Sequence, residues 1–149
     1  MKPIKTWILI ADGARARVLQ NDGPGHGLQE VEGLVFHSDH SATHNLVSDR
    51  EGRSFSSHDE GRSAIESNSD PHRELKKKFA HELAEMLARS LEQNAYDRLI
   101  IVAPPGALGD LRAAISDHVR ANVVGEVAHD LTKTPDGELA KHLKGVLVP

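Results

Sequence analysis

Thr6-Trp7-Ile8-Leu9-Ile10-Ala11-Asp12-Gly13-Ala14-Arg15-Ala16-Arg17-Val18-Leu19 divides at Asp12-Gly13 into two unlike halves. The first is a continuous apolar run rich in Ile, which is the pattern of a strand buried on both faces. Asp-Gly supplies a tight turn, and Ala14 to Leu19 then alternates. Ala14, Ala16 and Val18 share one face, and Arg15, Arg17 and Leu19 share the other. A connection this short cannot carry a crossover, so the second strand runs antiparallel to the first.

Outward from this hairpin, Asn21-Asp22-Gly23-Pro24-Gly25-His26-Gly27 reads as a loop and Leu28 to His37 as a third strand. Between Ser38 and Asp70 the periodicity dissolves. Nine of these 33 residues are Ser, and the apolar members are only Ala42, Leu46, Val47, Phe55, Ala64 and Ile65. Irregular stretches beyond about 12–15 residues are uncommon in compact domains, and are functional or disordered. The segment 38–70 is therefore expected to form a long flexible insertion loop, either solvated or ordered by a ligand. Asp70-Pro71 then reads as an N-cap and a first-turn proline. Leu75, Phe79, Leu83, Met86, Leu87 and Leu91 follow at helical spacing, in a helix ending near Asn94.

Leu99 to Ala103 is a second buried strand, stopped by Pro104-Pro105-Gly106. Leu108, Leu111, Ile115 and Val119 predict one further helix, Val123 to Ala128 the last strand, and Thr134-Pro135 the cap of a helix carrying Leu139, Leu143 and Leu147. The predicted fold class is α/β. It is a mixed five-stranded sheet in the order β-β-β-α-β-α-β-α, which matches the ribonuclease-H-like arrangement. Residues 1–149 are expected to make a single domain.

Composition narrows the function. The chain carries 18 Lys+Arg against 22 Asp+Glu, so polyanion binding must come from a local patch. It has no Cys, which excludes disulfides, thiolate nucleophiles and Cys-based zinc sites. The apolar stretch from Trp7 to Ala11 is too short for a secretory signal, and no window approaches the ~20 apolar residues of a membrane span. A soluble, cytoplasmic protein with no membrane contact is expected.

Asp12 is the first candidate for chemistry. A ribonuclease-H-like nuclease places a metal-binding carboxylate at the end of its first strand, where two Mg²⁺ ions need several converging carboxylates. Glu82 or Glu85, and Asp130 or Asp136, are available, yet Leu99 to Pro105 offers none at the end of the central strand. The alternative is a turn residue bonding nearby backbone amides. His37, His40 and His44, with Asp39 between them, have ligand spacing but no helical frame, and read as ordinary solvated side chains. No metal or cofactor is therefore assigned, and no catalytic residue.

Within the insertion, Gly52-Arg53-Ser54 returns as Gly61-Arg62-Ser63, and Asp49-Arg50-Glu51 precedes the first copy. Glycine lets the backbone approach an anion while guanidinium forks bind it, and Ser hydroxyls suit phosphate oxygens. From Ser38 to Asp70, however, three Arg stand among seven carboxylates, so salt bridges within the loop are the competing reading. Lys76-Lys77-Lys78 beside Arg73 lies on an exposed helix face. The candidate binding residues are Asp12, Arg15, Arg17, Asp49, Arg50, Gly52, Arg53, Ser54 and Arg62.

Several stretches together resemble the bacterial host-attachment protein family. They are Trp7 to Arg17, Asp49 to Phe55, Phe79-Ala80-His81-Glu82-Leu83-Ala84, Leu99 to Arg112, and His129-Asp130-Leu131-Thr132. The resemblance implies a relationship to the middle domain of archaeal and eukaryotic peptide-release factors, a ribonuclease-H-like variant also used by components of the translational machinery. There a loop before the long helix carries Gly-Gly-Gln. Here that tripeptide is absent, and Gln20, Gln29 and Gln93 all lie outside the insertion. Peptidyl-tRNA hydrolysis by that route is not implied.

The expectation is a non-enzymatic binding module. It would contact RNA, the ribosome or another anionic partner through the Arg/Gly/Ser loop, and would affect attachment to host cells indirectly. The alternatives are a metal-dependent phosphodiesterase using Asp12 and a surface adhesion factor. The oligomeric state is left open.

Overall fold

In a computed structural model, residues 3–38 and 71–147 are described. The strands are β1 (Thr6–Ala11), β2 (Arg15–Asn21), β3 (Gln29–His37), β4 (Arg98–Val102) and β5 (Val123–Val127). The helices are α1 (Pro71–Glu92), α2 (Pro105–Ala114), α3 (Asp117–Ala121) and α4 (Asp136–His142). The five strands form one mixed sheet in the spatial order β3-β2-β1-β4-β5. β2 is antiparallel to both β1 and β3, whereas β1, β4 and β5 run parallel.

Alternation along the strands sorts the core into two layers. Trp7, Leu9, Ala11, Ala16, Val18, Leu99 and Ile101 face the layer under α1, α2 and α3, whose anchors are Phe79, Leu83, Leu87, Leu108 and Val119. Ile8, Ile10, Leu19, Ile100 and Val102 face the opposite way, against Leu131, Leu139 and Leu143. In the first layer the Trp7 and Tyr96 rings stack with centroids 4.7 Å apart. The Tyr96 hydroxyl donates to the Leu87 carbonyl at 2.8 Å, and burial pushes its pKa up to about 12.

The hairpin is as expected, with Ala11 opposite Ala16 and Thr6 opposite Asn21. One helix becomes two. Ile115 is extended (ψ 148°), and Ser116 caps α3 by accepting from the Val119 amide at 3.2 Å. The Arg120 guanidinium then donates to the carbonyls of Arg112 and Ile115 at 2.6 and 3.3 Å, which satisfies acceptors left open at the end of α2. The order is thus β-β-β-α-β-α-α-β-α. The last helix also differs, since Pro135 rather than Thr134 occupies its N-cap position. β3 is interrupted opposite Arg17–Leu19, where Gly33 takes φ +82°. Only glycine adopts that conformation freely, which fits a bulge in an edge strand.

Among the described residues no helix is long and apolar enough to cross a membrane. Asp70, and with it the expected cap of α1, lies outside the described residues.

Candidate functional site

The carboxyl ends of β1, β4 and β5 meet at one rim, the usual place for a site in an open sheet with parallel strands. Asp12 sits there as the corner of the hairpin. Its Oδ1 accepts from the amides of Ala14 and Arg15 at 2.8 and 2.9 Å, and its own amide donates to the Arg15 carbonyl at 2.9 Å. The second oxygen, Oδ2, lies 3.3 Å from Arg15 Nε. This is the Asx-turn geometry that Asp-Gly favours. Both carboxylate oxygens are engaged by the turn itself. Among the described residues no three His, Asp or Glu side chains are grouped to hold a metal ion.

Arg15 and Arg17 leave the same face of β2 but end differently. The Arg15 side chain is 46% exposed at the rim. Arg17 reaches across to the segment between β5 and α4, donating to the Thr132 carbonyl at 3.1 Å and the Thr134 carbonyl at 2.7 Å. It also lies 3.4 Å from Asp136 Oδ1. Its Nε is buried with no hydrogen-bond partner among the described residues. Arg17 is therefore a clamp that ties β2 to a loop more than a hundred positions away in sequence, with its terminal nitrogens committed to that loop.

The clamped loop has its own turn. Asp130 Oδ1 accepts from the Thr132 amide at 3.0 Å and from the Thr132 hydroxyl at 2.6 Å. These bonds, the hydroxyl first, hold the Asp130 carboxyl below its ordinary range, and Arg15 and Lys133 add to the effect. The same hydroxyl stands 3.4 Å from Asp12 Oδ2, so Thr132 bridges the two turns. Beside them lies a cavity of about 150 Å³, lined among others by Ile10, Arg15, Val35, His37 and Thr132.

On the other side of the rim, the Lys76 stem lies against Gly13, where an added Cβ would come within 2.9 Å of Lys76 Cγ. Arg73 makes a two-pronged bond to Asp110 of α2 at 2.7 and 2.5 Å, which raises its pKa. Lys77 and Lys78 are exposed. Ser38 donates its amide to the Ala14 carbonyl at 2.8 Å, so the chain enters segment 39–70 from this rim.

Of the candidate residues, the fold brings Asp12, Arg15 and Arg17 together here. Asp49, Arg50, Gly52, Arg53, Ser54 and Arg62 lie outside the described residues, as do Asp39, His40 and His44. Sequence reasoning missed the tie of Thr132 to Asp130 and Asp12, although Asp-Leu-Thr is itself an Asx-turn pattern. It also missed the Arg73–Asp110 bridge and the contact of Lys76 with Gly13. Nothing local announces either one.

A family model described as "Protein required for attachment to host cells" matches residues 7–143 of the chain. No curated protein matches it.

Proposed function

The chain belongs to the family of proteins required for attachment to host cells, and from that membership we propose that it is a non-enzymatic binding module for an anionic partner, RNA or the ribosome. In this reading the fold is of the ribonuclease-H-like kind found in the middle domain of peptide-release factors, and the protein works in the cytoplasm. Its effect on attachment is then indirect, through altered gene expression. Support for the fold comes from the β3-β2-β1-β4-β5 order with β2 antiparallel to its neighbours.

The observation that carries the function is the division of labour at the rim. Asp12 is engaged by its own turn and Arg17 by the β5–α4 segment, while Arg15 stays 46% exposed where the chain departs for the stretch holding Arg50, Arg53 and Arg62. A carboxylate bonded to two amides and facing a guanidinium is a poor start for a two-metal nuclease, whereas exposed guanidinium groups suit phosphate oxygens.

A gel-shift titration with total RNA and with purified ribosomes tests the proposal. The wild type is expected to bind, and the combined Arg50→Ala, Arg53→Ala and Arg62→Ala variant to lose at least tenfold in affinity. Equal binding by both proteins, or none by either, overturns it.

A further inference from the structure

At the opposite end of the sheet, where β1 and β4 begin, four stretches of chain line a half-open cavity of about 350 Å³. This falls at the lower end of the roughly 300–1,000 Å³ typical of small-molecule sites. Its wall divides by chemistry. Ile4, Val146 and Leu147 supply apolar surface, and Ile4 is 45% exposed. Arg98 and Lys144 supply two cations, neither with an ion-pair partner among the described residues. Among the described residues no carboxylate lines the cavity, and Asp97, next to Arg98 in sequence, accepts from the Lys5 amide at 2.9 Å.

Thr6 adds a hydrogen-bond donor. It is only 4% exposed, it lines the cavity, and its hydroxyl has no hydrogen bond among the described residues. The hydroxyl itself is not sealed from solvent and is open to the cavity. An oxyanion in the cavity would accept from it and neutralise the two cations at once.

We propose that this cavity binds a small amphipathic anion, a single carboxylate or phosphate head on a short apolar body. The head sits among Thr6, Arg98 and Lys144, and the body lies against Ile4, Val146 and Leu147. The site lies at the far end of β1 from Asp12 and is independent of the RNA-binding reading.

Isothermal titration with octanoate tests it, with octylammonium as the cationic counterpart and phosphatidylglycerol vesicles as the membrane form of the same chemistry. One saturable octanoate site is expected. Arg98→Gln and Lys144→Gln should each weaken it at least fivefold, and Thr6→Val about threefold, whereas octylammonium should fail to bind. Arg98 and Lys144 are exposed, so their replacement leaves folding intact. Absence of saturable octanoate binding, affinity unchanged in both cation variants, or equal binding of octylammonium overturns the proposal. So does vesicle binding without octanoate binding, which would make the feature a membrane contact. RNA binding is read separately and does not depend on any of these results.

Discussion

The two faces of the sheet are held by different means. Among the described residues, the face under α1, α2 and α3 is an apolar layer of twenty buried residues, built on a 22-residue helix. The opposite face has eight buried residues among those described and the seven-residue α4, and it keeps Val35 63% exposed. What apolar area does not supply there, polar ties do, through Arg17 to Thr132 and Thr134, and Thr132 to Asp130. Stability sits on the thick face. The thin face positions the rim, and its ties can be altered without dissolving the core.

The sharpest break of this contrast is Leu87→Ala. Leu87 is fully buried in the thick layer, and its truncation should cost about 2–5 kcal/mol in denaturant unfolding. A loss as small as that of a surface variant would mean the layer is not the stabilising one.

Arg17→Met should cost less, about 1–3 kcal/mol, because it leaves two loop carbonyls without their donor. Its signature is local. Amide exchange should quicken between 131 and 136 while β1 and β4 stay protected. Uniform quickening across the sheet would contradict the division between the faces.

Gly13→Ala should cost about 1 kcal/mol, since the new methyl meets the flexible Lys76 stem. Lys76→Ala in the same chain should restore most of that loss. Without such rescue, the contact does not set the need for glycine.

The smallest effect concerns pH. Asp130 is held below its ordinary range in the folded chain, so its contribution is present above about pH 4 and is lost as pH falls through the lowered value. Thr132→Val removes the hydroxyl bond. An NMR titration should then find the Asp130 carboxyl returning upward, and the acid limb of the stability curve should flatten slightly.

Much of this was legible in the residues. The apolar run from Thr6 to Ala11 and the alternation after Gly13 gave the hairpin, because strand burial writes itself in local periodicity. The break between α2 and α3 was hidden. Ile115 and Val119 keep helical spacing across it, and only Ser116 before Asp117 marks a new cap. Asp12 was readable as a turn because its partners are two and three residues away. The commitment of Arg17 was not, because its acceptors come from Thr132 and Thr134 across the fold. On sequence alone Arg15 and Arg17 look equivalent, and only tertiary contacts separate an exposed cation from a clamp.

The most direct test of the account measures RNA affinity against salt concentration for the wild type and for the Arg50, Arg53 and Arg62 to Ala variant. A slope of about −0.7 per phosphate neutralised is expected on single-stranded RNA. The account predicts a steep slope for the wild type and a slope shallower by about two for the variant. Parallel lines of equal height would contradict it.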